Sequence, residues 1–141
     1  MNRQPPVSIS IEIPGTVDHV DQTIVSIKKT LEDEFLTYAD FALELVLREA
    51  LMNAVKHGNH YDAGKKVFLT LAWDKEWFFI AIRDEGDGYL YQSPNSSQMI
   101  PSDESGRGLP IIEYYADQIS FNKKGNEIRI KIAIFKPEQD S

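Results

Sequence analysis

Apolar and polar residues alternate near both ends of the chain and in two segments near its middle. Apolar side chains fill every second position of residues 7–13 and 128–134, which predicts strands with one face in water. Residues 67–73 and 77–83 flank three polar residues, which is typical of a β-hairpin, and residues 118–122 predict one more short strand. The face of this sheet that is turned away from water needs a cover.

Three segments with helical spacing supply that cover, around residues 17–35, 39–58 and 109–116. We therefore predict an α/β fold of the α+β type. It is a two-layer sandwich in which a mixed, mostly antiparallel sheet carries its helices on one face. Gly58 and Asn59 tolerate the left-handed conformation and are expected to close the second helix.

Length and composition favour one cytoplasmic domain. A chain of 141 residues fits a single core, so we expect one domain over residues 1–141, with residues 89–105 as a lid-length loop and 136–141 as a polar tail. The sequence has no Cys, which excludes disulfides and thiolate metal sites, and no apolar run long enough to span a bilayer. The net charge of −7 and the lack of a basic stripe argue against direct contact with nucleic acid.

The second predicted helix changes character towards its end. At about 100° per residue, Glu49, Asn53, Lys56 and His57 share one side, and that side is apolar in the preceding turns. An amphipathic helix with an ordinary wet face would be polar along its whole length, so it is the weaker interpretation. Buried polar groups without partners cost about 1–3 kcal/mol each, so we expect chemistry at this stripe.

A glycine-rich segment, residues 84–88, follows the predicted hairpin. Asp84 shares the side-chain parity of the apolar residues in its strand, so its carboxylate is expected on the helix-covered side. There it needs a donor, such as the exocyclic amino group of a ligand. A turn rich in Gly and Asp is the alternative. A calcium loop is excluded because Gly86 stands where an oxygen ligand is needed.

A second glycine-rich segment, Gly106-Arg107-Gly108-Leu109-Pro110, precedes the third helix. Glycines let the backbone approach an anion closely, and the free amides of a first helical turn favour phosphate. The Walker sequence Gly-Lys-Ser/Thr and the dinucleotide fingerprint Gly-x-Gly-x-x-Gly are both absent. Any phosphate would therefore be bound by another scheme.

These motifs occur together and in a fixed order. They are Glu49-x-x-x-Asn53-x-x-x-His57-Gly58, Asp84-x-Gly86-x-Gly88 and Gly106-Arg107-Gly108-Leu109. In this combination the chain resembles the GHKL (histidine-kinase-like) ATPase superfamily of gyrase, chaperone, histidine-kinase and mismatch-repair proteins. Within it the chain is most similar to the stand-alone serine/threonine kinases that act as anti-sigma factors, over about residues 7–135. The resemblance implies a Bergerat-type ATP-binding fold with residues 89–105 as the ATP lid.

The resemblance also implies a role for each motif residue. Glu49 would be the general base, Asn53 the Mg²⁺ ligand through its amide oxygen, and Asp84 the partner of the adenine amino group. His57 matches the family motif with a structural role, and Asn126 stands where the family often has a Thr near the adenine. The nucleotide-binding residues implied are Asn53, His57, Asp84, Gly86, Gly88, Gly106, Arg107, Gly108, Leu109 and Asn126.

The function implied is a protein serine/threonine kinase that uses ATP and Mg²⁺. As an anti-sigma factor it would phosphorylate an anti-anti-sigma partner of the STAS type and sequester a sigma factor. It would also form a homodimer. Trp77 and Phe79 on the wet sheet face are a candidate contact surface for that dimer. A nucleotide-responsive binding module without kinase activity stays open, because the distance from Glu49 to a γ-phosphate is not visible in sequence. A plain α/β interaction domain also stays open. A histidine kinase is disfavoured because the residues before the second helix leave no room for a phosphoacceptor hairpin.

Overall fold

A five-stranded sheet forms one layer of the molecule. The computed structural model describes residues 7–31, 38–86 and 109–134. The strands are β1 (Val7–Pro14), β2 (Lys66–Trp73), β3 (Trp77–Asp84), β4 (Gln118–Phe121) and β5 (Glu127–Ala133). They lie in the order β1-β2-β3-β5-β4, and every neighbouring pair is antiparallel. All five predicted strands are confirmed, and the described sheet is antiparallel throughout.

Three helices form the second layer. They are α1 (Val17–Leu31), α2 (Tyr38–Asn53) and α3 (Leu109–Tyr115), and α2 continues into a π-helical turn at Ala54–Gly58. The predicted helices are confirmed, and residues 32–35 of the first prediction lie outside the described residues. Among the described helices, none is both long enough and apolar enough to cross a bilayer.

The core lies between the two layers because burial alternates along the strands. Every second residue of β2 and β3 is buried, and the apolar ones share one cluster with apolar residues of all three helices. Phe78, Leu71 and Val46 are among the fully buried members. Burying an aliphatic or aromatic side chain of this size stabilises the fold by about 1.5–3 kcal/mol. The predicted two-layer α/β sandwich is therefore confirmed.

The opposite face of the sheet carries aromatic side chains that are partly covered by cations. The Lys131 Nζ lies 4.1 Å from the ring centre of Trp77 and 5.7 Å from that of Phe79, and the Arg83 guanidinium lies 4.4 Å above the ring of Phe68. Trp77 and Phe79 are consequently half-buried within the described chain. Lysine and arginine often shield aromatic surface in this way.

Candidate functional site

The polar end of α2 closes in a single π-helical turn, which regular helical spacing did not predict. The N–H of Asn59 donates to the carbonyl of Ala54 at 2.8 Å, a step of five residues instead of four. The α-helical spacing by which His57 was placed on the side of Glu49 therefore does not hold over Ala54–Gly58. Isolated π turns of this kind are rare and frequently occur at functional sites.

Gly58 and Asn59 close the helix as predicted, since Gly58 is its last residue and Asn59 caps it, but the left-handed conformation that Asn59 tolerates is not used. Asn59 has φ −89° and ψ −4°, which is right-handed. His60 and Tyr61, with φ of 53° and 61°, take the left-handed positions instead. Gly58 is needed for another reason, because a Cβ there would lie 2.1 Å from Oδ2 of Asp84.

Asp84 ends β3 and points to the helix-covered side, as its parity predicts. Its exposed fraction is 8 %, and it packs against the backbone of Gly58. The N–H of Gly86 donates to Oδ1 at 2.8 Å, and a Cβ on Gly86 would lie 2.0 Å from the carbonyl oxygen of Gly58. The two glycines therefore let the end of α2 and the loop after β3 close around one carboxylate.

Burial raises the pKa of the Asp84 carboxyl above its ordinary value, because desolvation disfavours the charged form. The hydrogen bond from Gly86 and the charges of Lys124, Lys65 and His60 act in the opposite direction with smaller effect. Asp84 is thus a buried carboxylate whose charged form is destabilised by desolvation. A ligand that donates a hydrogen bond to it would offset that cost.

Asn126 lies beside Asp84 at the turn between β4 and β5. Its carboxamide donates to the Asp84 carbonyl at 3.1 Å, and the Asp84 N–H donates to the Asn126 carbonyl at 2.9 Å. Asn122 organises this turn, since its Oδ1 accepts from the N–H groups of Gly125, Asn126 and Glu127. Gly125 has φ 84°, a conformation that favours glycine.

A small cavity lies between α2 and the sheet at this point. Asn53, Asp84, Asn126 and Glu127 supply its polar side chains, and its apolar walls include Ala50, Ala54, Ile82, Phe121 and Ile128. A few polar groups in an apolar slot are typical of small-molecule sites. The space measures about 30 Å³, which holds a water molecule or two, so a bound purine would have to move the side chains at its rim.

Glu49, Asn53 and His57 follow one another on the end of α2 and are all half-buried. Within the described ranges, no side chain forms an ion pair with Glu49. The described residues also contain no cluster of three or more His, Cys, Asp or Glu side chains that could enclose a metal ion. A cation at this helix end would therefore be held by few described protein ligands.

The structure brings Asn53, Asp84, Gly86 and Asn126 together, with Glu49 and His57 on the same helix end. Leu109 begins α3, and its side chain is not described. The remaining predicted site residues lie outside the described residues: Gly88, Gly106, Arg107 and Gly108. The predicted lid, residues 89–105, and the predicted tail, residues 136–141, also lie outside them.

The sequence predicted Asn59 only as a helix-closing residue and not as a link within the site, where its side chain is completely buried. Its amide donates to the carbonyl of Lys66 at 3.0 Å, and its Oδ1 accepts from the N–H of Glu85 at 2.8 Å. No local pattern marks such a residue, since its partners are seven and twenty-six positions away. A polar residue directly after a core helix was the one available signal.

Comparison with known proteins identifies the family. The sequence profile of the histidine kinase-like ATPase domain matches residues 13–132. The chain belongs to this ATPase family. The matched region contains both the polar end of α2 and the buried Asp84 that follows β3.

Among curated proteins, the family member described here is similar to anti-sigma F factors. It is 27% identical to that of Bacillus subtilis (strain 168) over 95 residues, which cover 62% of this chain and 65% of the relative. It is 30% identical to that of Oceanobacillus iheyensis over 93 residues, which cover 61% and 64%. The chain thus spans less than two thirds of the length of these relatives.

Proposed function

We propose that this chain is a serine/threonine protein kinase that uses Mg-ATP and acts as an anti-sigma factor. It would phosphorylate an anti-anti-sigma partner of the STAS type and sequester a sigma factor. The observation that carries the proposal is the cavity in which the buried carboxylate of Asp84 meets Asn53 of α2, in a histidine kinase-like ATPase. Similarity to anti-sigma F factors supports the regulatory role.

In this proposal, Asp84 recognises the adenine. The exocyclic amino group of adenine is a donor, and Asp84 is a buried acceptor with one oxygen bonded to Gly86 and the other packed on Gly58. Charge-assisted hydrogen bonds of this kind are among the strong ones. Ala50, Ala54 and other apolar walls of the cavity offer the ring a surface to pack against. Asn126 would hold the Asp84 backbone in place beside the base.

The oxygen groups at the end of α2 fit a magnesium ion. Mg²⁺ is usually bound through one or two protein oxygens, with phosphates and water completing the shell. Asn53 offers an amide oxygen one helical turn from the carboxylate of Glu49, and we assign the ligand role to Asn53. When bound, the ion would neutralise charge on the transferring phosphate.

Glu49 is proposed as the general base. The partner's hydroxyl oxygen would bond to the γ-phosphorus while its proton passes to the Glu49 carboxylate, and ADP would leave with the bridging oxygen. Such a transfer needs chiefly positioning, charge stabilisation and a base near the hydroxyl. The half-buried position of Glu49, without an ion-pair partner among the described residues, suits a group that must accept a proton.

The remaining assignments rest on the family resemblance. Residues 1–141 would form one domain, residues 89–105 would order around the nucleotide, and the second glycine segment with Leu109 would close on the phosphates. These partners would place the chain in the cytoplasm, without direct contact to nucleic acid or membrane. A homodimer is proposed as well, and a monomeric mass by light scattering with and without nucleotide would contradict it.

One observation favours a second function, a nucleotide-responsive binding module without catalysis. Among the described residues, the cavity is lined by Asn53 and Asp84 but not by Glu49. Transfer of labelled phosphate from Mg-ATP to candidate partner proteins distinguishes the two functions. If the chain binds ATP and partner yet transfers nothing, the binding module becomes the better account.

The Glu49→Gln variant tests the base directly. Gln keeps the shape but cannot accept a proton, so we expect nearly normal Mg-ATP binding and phosphotransfer reduced by roughly 10²- to 10⁴-fold. Glu44→Gln is the matched control, because Glu44 lies on the same helix and is paired with Lys28 away from the site. Transfer at the parent rate by Glu49→Gln would rule out Glu49 as the base.

Asn53→Ala should lower both phosphotransfer and the magnesium dependence of nucleotide affinity.

A further inference from the structure

Asn59 ties three parts of the site together. Its backbone N–H closes the π turn on Ala54, its side-chain amide donates to the first residue of β2, Lys66, and its Oδ1 accepts from Glu85. Glu85 directly follows Asp84, and Gly58 directly precedes Asn59. One fully buried side chain therefore fixes the distance between the end of α2 and the loop after β3.

That distance decides where the Asp84 carboxylate points. Oδ2 packs on Gly58, and Oδ1 accepts from Gly86, so both oxygens depend on the two segments that Asn59 joins. If the Glu85 N–H were released, the loop could shift relative to the π turn and the carboxylate would lose its fixed orientation. Buried, hydrogen-bonded side chains of this kind can hold a functional group in position without contacting the ligand themselves.

We propose that Asn59 is a positioning residue that determines base selectivity by orienting Asp84 towards the amino group of a purine. The inference rests on the proposed nucleotide binding and adds to it a residue without ligand contact. It predicts a specific defect. Loss of Asn59 weakens binding of a base that carries the amino group more than binding of a base that lacks it.

The test compares ATP with inosine triphosphate, which has the same phosphates and sugar but a carbonyl in place of the amino group. The parent chain is expected to prefer ATP. In Asn59→Ala, the affinity for ATP should fall about 10-fold or more, the scale of one charged hydrogen bond, while the affinity for inosine triphosphate changes by less than about 3-fold. Calorimetric titration of each nucleotide with magnesium measures both values.

Thr23→Val is the matched control for a general loss of stability. Thr23 is buried, and its hydroxyl donates to the carbonyl of His19 within α1, away from the cavity. This variant should retain the parent ratio of the two affinities. If Asn59→Ala does not fold, Asn59→Asp replaces it, because loss of the donor to Lys66 detaches from β2 the side chain that holds the Glu85 N–H. The ratio of its affinity for ATP to its affinity for inosine triphosphate is expected to fall below that of the parent.

Each outcome decides a different point. A parent-like preference for ATP in a folded Asn59 variant overturns the positioning role and leaves the proposed function standing. Equal losses for both nucleotides overturn it as well, because they indicate a merely structural effect. A parent chain without preference between the nucleotides overturns the adenine role of Asp84, and this inference with it.

Discussion

At the scale of single residues, the site is built on a carboxylate in an unfavourable environment. Asp84 is almost completely buried, and burial raises its pKa. Among the described residues, the hydrogen bond that its side-chain oxygens accept comes from the N–H of Gly86, while Oδ2 packs against Gly58. Functional groups are often retained in positions that reduce stability, since a ligand supplies the missing partner.

The Asp84→Asn variant should therefore stabilise the protein without ligand. The folded state holds the Asp84 proton more tightly than the unfolded chain, so its contribution to stability is fully present at low pH and is lost as the pH rises through the raised folded-state pKa. The amide of Asn does not ionise, so the variant does not lose stability in this way as the pH rises. We expect the variant to be more stable at neutral pH, by about 1 kcal/mol, the usual scale of point-mutant effects. Urea unfolding across a pH series measures this.

Glu44→Gln serves as a control, because the contribution of Glu44 to stability depends on pH in the opposite direction. The side-chain hydrogen bond from Lys28 lowers the pKa of Glu44, so its contribution is present above the unfolded pKa and is lost as the pH falls through the folded one. The contribution is expected to be small, because the pair is partly exposed. If Asp84→Asn destabilises the ligand-free protein at neutral pH, the account of Asp84 as a costly buried carboxylate is wrong.

The residue-level predictions from sequence succeeded where local geometry is sufficient. The side of the sheet that Asp84 faces follows from strand alternation alone. The contact with Gly58 and the buried position of Asn59 do not, since both depend on segments that are distant along the chain. Tertiary packing determines them.

At the scale of elements, the strands and the residue at which the second helix ends were predictable, but the π-helical form of its last turn was not. Alternation of apolar residues marks half-exposed strands clearly, and all five were found. The π turn differs from an α-helix by one residue per hydrogen-bonded step, and it buries Ala54, Val55 and Gly58, much as a helix would. Hydrophobic spacing over five residues cannot distinguish the two.

Gly58→Ala tests why the helix ends in this way. A methyl group would collide with Oδ2 of Asp84, so we expect a loss of about 1–3 kcal/mol in the free energy of unfolding and weaker nucleotide binding. Gly64→Ala is the control, because its nearest neighbour, Oδ1 of Asp62, would lie 3.3 Å away and belongs to an exposed side chain. Thermal unfolding of both variants provides the comparison. Parent-like stability and affinity in Gly58→Ala would contradict the close packing.

At the scale of the whole molecule, the layers were predictable but the strand order was not. One wet sheet face and three amphipathic segments require a two-layer sandwich. The position of β5 between β3 and β4 depends on long-range pairing, which composition and period do not encode. This order matters for the proposed function, because it brings the β4–β5 turn with Asn126 beside the end of β3 and completes the cavity.

Calorimetric titration with Mg-ATP tests the central claim, that this cavity binds the adenine of ATP through Asp84. The parent chain should bind with a dissociation constant of about 1–10 µM, or roughly 7–8 kcal/mol. Asp84→Asn should bind about 10- to 100-fold more weakly, because the amino group loses its charged acceptor. Absence of binding by the parent, or equal affinity in the folded Asp84→Asn variant, would contradict the account.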